Sequence, residues 1–105
     1  MIKDYNRKIL DQDLESGKRL YLYFMSLGCG PCKLVTPSIE KFAEKKDNVY
    51  RIKSTEGKDL AGYLQVASYP TFIVVEDVQI VENLVGANTI SNFLNQEWFY
   101  GTSNQ

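Results

Sequence analysis

The stretch Leu20-Tyr21-Leu22-Tyr23-Phe24-Met25 is apolar or aromatic at every position, and it constrains the fold more than any other part of the chain. A strand with one wet face alternates apolar and polar residues, so an unbroken run of strand length reads as a central strand buried on both faces. Thr71-Phe72-Ile73-Val74-Val75 reads as a second buried strand, entered through Ser68-Tyr69-Pro70. Two such strands need helices on each side of one sheet.

The rest of the sequence supplies those helices. Residues 4–16 set Tyr5, Ile9, Leu10 and Leu14 at near-helical spacing among charged residues, with Gly17 where a C-capping glycine belongs. After the turn Ser26-Leu27-Gly28, a helix opens with Pro31 in its first turn, where the missing N–H costs nothing. Val35, Ile39, Phe42 and Ala43 form its apolar face, and Lys33, Glu40, Lys41, Glu44, Lys45 and Lys46 its polar one. Pro37 removes one internal hydrogen bond and predicts a kink. Val49–Lys53 reads as a strand, and Leu60, Ala61, Tyr63 and Leu64 as a short helix weakened by Gly62. Glu76 and Asp77 predict a turn, Gln79–Val85 a returning strand and Gly86 a break. Asn88 or Thr89 would then cap a last helix that buries Ile90, Phe93, Leu94 and Trp98, and the polar tail 101–105 is expected to fray. A strand within residues 1–3 is too short to assign. The sum is an α/β sandwich, a βαβ unit followed by a terminal hairpin.

At 105 residues with 44% hydrophobic content the chain is expected to form one domain, residues 1–105, with its own core. A net charge of −1 with both signs scattered argues against a nucleic-acid partner. No stretch approaches the ~18 apolar residues of a membrane helix, and the polar N-terminal residues lack the core of a secretion signal, so a cytoplasmic location is the expectation.

The chain has two cysteines, Cys29 and Cys32, separated by Gly30 and Pro31 at the junction between the first apolar run and the helix that follows. A disulfide over so short a loop removes little unfolded-chain entropy, so a structural staple explains the pair poorly. A zinc site needs about four ligands, and with no histidine and no second cysteine pair only a dimer or added carboxylates could complete one. Two unrelated buried cysteines remain open as a reading, but would not call for Gly-Pro between them. Two thiols at the start of a helix suit redox chemistry, because the helix N-terminus favours the thiolate of the first.

Taken in order, these features resemble the thioredoxin family over nearly the whole chain. Cys29-Gly30-Pro31-Cys32-Lys33 is similar to the family's redox motif, Pro37 to its helix proline, Tyr69-Pro70-Thr71 to its cis-proline loop and Val85-Gly86-Ala87 to its glycine loop. The resemblance implies a thioredoxin fold: a central mixed sheet of four to five strands with helices on both faces. It implies Cys29 as nucleophile and Cys32 as resolving thiol, tuned by Gly30, Pro31, Lys33, Tyr23 and Arg51. Leu27, Gly28, Tyr69, a cis Pro70 and Gly86 would meet the substrate. The implied activity is reduction of protein disulfides by a monomer that needs no bound cofactor or metal and is recharged by a thioredoxin-reductase-like donor. A disulfide oxidase or isomerase, or a binding module docking through Leu27, Tyr69 and Gly86, are the alternatives. Four positions depart from the family pattern. Gly28 stands where a tryptophan usually precedes the first cysteine, Tyr23 where a buried aspartate lies, Arg51 where its lysine partner lies, and Val78 near a hairpin glycine. A tyrosine ionises near ~10 and accepts a proton poorly at neutral pH, so Arg51 is expected to favour the Cys32 thiolate instead.

Overall fold

The computed structural model describes the backbone of residues 1–103 and the side chains of residues 1–96. The elements are β1 (Lys3–Asp4), α1 (Arg7–Glu15), β2 (Leu20–Met25), α2 (Gly30–Ala43), β3 (Val49–Lys53), α3 (Lys58–Tyr63), β4 (Thr71–Glu76), β5 (Gln79–Val85) and α4 (Ala87–Ser103). They form a five-stranded mixed sheet in the order β1-β3-β2-β4-β5. β1, β3 and β2 run parallel, and β4 and β5 follow antiparallel.

β2 takes the centre, as its unbroken apolar run requires, and its side chains split by parity. Leu20, Leu22 and Phe24 pack with Leu10 of α1 and Ala61 of α3. Tyr21 and Tyr23 pack on the opposite face with Val35 and Ile39 of α2 and Ile90 and Leu94 of α4. Each such burial contributes about 1.5–3 kcal/mol, so the central strand is anchored from both sides. α3 is seated closely on the sheet: a Cβ on Gly57, at its N-cap, would lie 2.2 Å from Ile52 Cγ2.

Several boundaries differ from the sequence reading. The first helix begins at Arg7, because Asn6 caps it by accepting the Ile9 N–H at 3.1 Å, and residues 3 and 4 instead pair with Tyr50 and Arg51 as β1. α4 begins directly after Gly86, whose carbonyl accepts the Ile90 N–H at 3.1 Å, so Asn88 and Thr89 lie inside its first turn. Helical backbone runs to Ser103, into the tail expected to fray; residues 104 and 105 and the Trp98 side chain lie outside those described. α2, by contrast, runs through Pro37 to Ala43 as the spacing of its apolar face predicts, with Val35, Ile39 and Phe42 in the core.

The β4–β5 turn also moves by one residue. Glu76 pairs with Gln79 and the turn is Asp77-Val78, at φ +56° and +63°. Two successive positive φ values are those of a type I′ hairpin turn, which favours Asn-Gly or Asp-Gly, and a β-branched residue is strained there. Val78→Gly should therefore stabilise the protein by about 1 kcal/mol, the relieved strain exceeding the added unfolded-state entropy. Urea unfolding at neutral pH reads this, and a loss of stability would contradict it.

A polar tie joins α1 to β3. The buried Tyr50 hydroxyl donates to Asp13 Oδ2 at 2.5 Å, and Lys3 Nζ lies 3.5 Å from the same oxygen. The Tyr50 hydrogen bond, more than Lys3, holds the Asp13 carboxyl below the usual carboxylate range against the opposing cost of burial. A carboxyl depressed in the folded state stabilises it above the unfolded value near ~3.9 and loses that contribution as pH falls through the folded value. Tyr50→Phe should cost about 1–3 kcal/mol at pH ~7. The deficit should shrink on acidification below pH ~4. Urea titrations at several pH values check both, and a pH-independent deficit would refute the linkage.

Candidate active site

β2 ends at Met25 and delivers the chain through Ser26, Leu27 and Gly28 to the head of α2. The turn closes with the Cys29 N–H on the Ser26 carbonyl at 3.3 Å. Cys29 is the N-cap, and Gly30, Pro31 and Cys32 are the first three helical residues. The orphan amides of a helix start need acceptors, and here the Cys32 N–H points at Cys29 Sγ at 3.2 Å while the Lys33 N–H bonds the Cys29 carbonyl at 3.2 Å. The two sulfurs are joined in a disulfide across a Cα–Cα distance of 5.2 Å. Their surroundings differ: Cys29 is partly exposed, whereas Cys32 is 1% exposed beneath the helix.

Two further loops close on Cys29. The Tyr69–Pro70 peptide is cis, and the Tyr69 carbonyl oxygen lies 3.7 Å from Cys29 Sγ. The Gly86 N–H donates to the Pro70 carbonyl at 3.0 Å, and Thr71 Oγ1 donates to the Ser68 carbonyl at 2.8 Å, fixing both ends of the loop. Gly86 has φ +95°, a conformation that side-chain-bearing residues rarely adopt. Cys29, Tyr69, Pro70 and Gly86, distant in sequence, are thereby brought together. Leu27, Gly28, Gly30, Pro31 and Lys33 are all exposed around the motif. Leu34, which sequence reasoning passed over as a helix residue, is 78% exposed beside it. The signal was available, since Leu34 falls outside the spacing of Val35, Ile39 and Phe42.

Below the motif lies Tyr23, whose side chain is wholly buried. Its hydroxyl is 3.1 Å from the Cys32 carbonyl and 2.6 Å from Thr36 Oγ1, and Thr36 Oγ1 is 2.7 Å from the same carbonyl. Burial raises the Tyr23 phenol above its ordinary range; the Thr36 hydrogen bond and the Arg51 charge oppose the shift and Glu40 adds to it. The phenol therefore stays protonated at neutral pH and serves as a hydrogen-bond donor. Arg51 lies beside Tyr23 in the β2–β3 register, but its guanidinium hydrogen-bonds Asp4 through Nη2 at 2.8 Å and Nε at 3.2 Å. That pairing, chiefly its hydrogen bond, lowers the Asp4 carboxyl below its usual range. Thr36 was not singled out from the sequence, although a threonine four residues after a helical cysteine can reach back to that cysteine's carbonyl.

Among the described residues no group of three His, Cys, Asp or Glu side chains is placed to hold a metal ion, and no helix is long and apolar enough to cross a membrane. What the geometry presents is a helix-capping cysteine pair with one sulfur toward solvent, beside a cis-proline loop on a mixed sheet. That combination defines the class of thioredoxin-fold dithiol proteins.

The comparisons with known proteins carry the assignment further. Residues 2–96 match the family model described as Thioredoxin. The chain is 40% identical over 81 residues to Thioredoxin-2 of Saccharomyces cerevisiae, spanning 74% of this chain and 78% of the yeast protein. It is 37% identical over 79 residues to a thioredoxin of Staphylococcus aureus, spanning 72% and 75% of the two chains. Its fold is similar to the crystal structure of thioredoxin NaTrxh from Nicotiana alata, with a TM-score of 0.79 at 23% identity over 92% of this chain and 90% of that one. The chain belongs to the thioredoxin family, and its activity is thiol-disulfide oxidoreduction.

Gly28, at the position where the family resemblance leads one to expect tryptophan, has φ +83°, and a Cβ built on it meets nothing within 4 Å. Any cost of a side chain there is therefore a backbone cost. Gly28→Ala should destabilise the protein by about 1 kcal/mol, read by urea unfolding; an unchanged midpoint would show that the turn relaxes freely.

Proposed function

We propose that this protein reduces disulfides in other proteins by dithiol exchange, with Cys29 as attacking sulfur and Cys32 as resolving sulfur. The observation that carries this reading is the difference in burial between the two, Cys29 partly exposed and Cys32 1% exposed. In the reduced protein the Cys29 sulfur sits at the head of α2, where the Cys32 N–H and the helix N-terminus stabilise a thiolate. That thiolate attacks one sulfur of the substrate disulfide, forming a Cys29–substrate bond while the other substrate sulfur leaves as a thiolate. The Cys32 thiolate then attacks Cys29 Sγ, forming the internal disulfide and releasing the second substrate sulfur.

An extended substrate segment would lie along Tyr69 and Pro70, with Leu27, Gly28 and Gly86 flanking it, in the manner of a peptide added to exposed backbone. Gly30 and Pro31 set the helix start that exposes Cys29, and Lys33 adds a positive charge to the rim. Arg51 enters this reading only through its field, because its guanidinium is bonded to Asp4. The electron donor would be a thioredoxin-reductase-like enzyme acting on the same sulfur. The setting we propose is the cytoplasm, with the chain acting as a monomer and as one domain.

Reduction of insulin by dithiothreitol tests the reading. The wild-type protein should accelerate it, Cys29→Ser should abolish the acceleration, and Cys32→Ser should accumulate a covalent complex with the substrate. Equal rates for wild type and Cys29→Ser would overturn the assignment.

A further inference from the structure

We infer that Tyr23 and Thr36 are positioning residues for the Cys32 sulfur: together they grip the Cys32 carbonyl from beneath and hold the sulfur where it can close on Cys29. The inference rests on the exchange chemistry proposed above and concerns its second step.

The three oxygens form a closed set, with separations of 3.1, 2.6 and 2.7 Å among the Tyr23 hydroxyl, Thr36 Oγ1 and the Cys32 carbonyl. Each hydroxyl carries one proton, so two protons cannot fill all three contacts at once: either both hydroxyls donate to the carbonyl, or one donates to the carbonyl while accepting from the other. In either arrangement each hydroxyl has a partner and the carbonyl gains a donor. The two hydroxyls come from different elements. Tyr23 belongs to the central strand, in register with Arg51 on one side and Phe72 on the other, so its ring position is set by the sheet. Thr36 lies one turn further along α2. The Cys32 backbone is thus bolted both to its own helix and to the middle of the sheet.

The grip matters at one moment in the cycle. In the disulfide state, Cys32 is also held by its bond to Cys29 and by its N–H on Cys29 Sγ. Once Cys29 is bonded to a substrate the internal disulfide is open, and the two helical residues before Cys32 tie it little: Pro31 has no N–H, and the Gly30 amide has no acceptor within the helix. The carbonyl contacts are independent of the sulfurs and persist. From this anchored position the Cys32 thiolate gives an electron pair to Cys29 Sγ. The Cys29–Cys32 bond forms, the Cys29–substrate bond breaks, and the departing substrate thiolate takes a proton from water. Reaction rates fall about 10²-fold for misplacements near ~1 Å, so a modest loosening is measurable. Neither hydroxyl is asked to accept a proton, in keeping with a phenol whose buried site keeps it protonated.

The test separates the two steps. Reduced protein is mixed with a symmetric nitrobenzoate disulfide that releases one coloured thiolate when Cys29 attacks and the second when Cys32 resolves. Tyr23→Phe keeps the ring in the core, and Thr36→Val keeps the shape of the helix residue. Each should leave the first phase as in wild type and slow the second about fivefold, the worth of one lost hydrogen bond. Thr36→Ser, which retains the hydroxyl, should restore the second phase. The double variant should be slowed by less than the product of the single effects, because both act on one carbonyl. A wild-type second phase in both Tyr23→Phe and Thr36→Val, or equal slowing of both phases, would overturn the positioning role; the Thr36 pair decides alone if Tyr23→Phe fails to fold. Absence of any first phase in wild type would instead count against the exchange reading.

Discussion

The structure depends on the burial of β2 from both sides. Its side chains alternate between a layer with α1 and α3 and a layer with α2 and α4, so neither face of the strand meets water. A one-residue slip would exchange Leu20, Leu22 and Phe24 with Tyr21 and Tyr23, turning the Tyr23 hydroxyl away from α2. The register of the central strand therefore sets two functional features at once. It ends where the turn to Cys29 begins, and it places a phenol under Cys32.

The site follows from what the ends of elements leave unsatisfied. A helix start has free amides and a sheet end has loops, and here three such ends converge. The α2 amides face Cys29, the Tyr69 carbonyl lies 3.7 Å from its sulfur, and Gly86 is tied to Pro70 at 3.0 Å. Of the exposed residues around the motif, Leu27, Gly28, Gly30, Pro31, Lys33 and Leu34, only Lys33 is charged, so contact with a partner there would rest on backbone and on apolar groups such as Leu27 and Leu34, which are 68% and 78% exposed. Rigid backing and an open rim are separate properties: the first comes from the core, the second from Gly28, which brings no side chain to cover Cys29.

Much of this was legible in the sequence, and the parts that were not share a cause. Strands β2, β3 and β5 and the core face of α2 were marked by period and composition, which act locally. Cys29, Cys32, Pro70 and Gly86 could be named because an ordered motif set marked them. The misplaced boundaries arose where one side chain or one pairing partner decides. Asn6 caps α1, β1 exists only through its pairing with β3, and Val78 accepts an unfavourable φ because β4 and β5 are already joined. The Arg51 pairing was harder still to read, since nothing local shows that its guanidinium hydrogen-bonds Asp4, 47 residues away in sequence. Thr36 combines both difficulties, a local reach-back to Cys32 and a partner in Tyr23 that only the assembled sheet supplies.

The central claim is that the fold makes two identical thiols chemically unequal by exposing one and burying the other. Alkylation of the reduced native protein with iodoacetamide, mapped by mass spectrometry over a short time course, measures that inequality directly. The account predicts label on Cys29 well before any on Cys32, with the preference lost on unfolding in urea. Equal labelling of both cysteines in the native protein, or earlier labelling of Cys32, would contradict it.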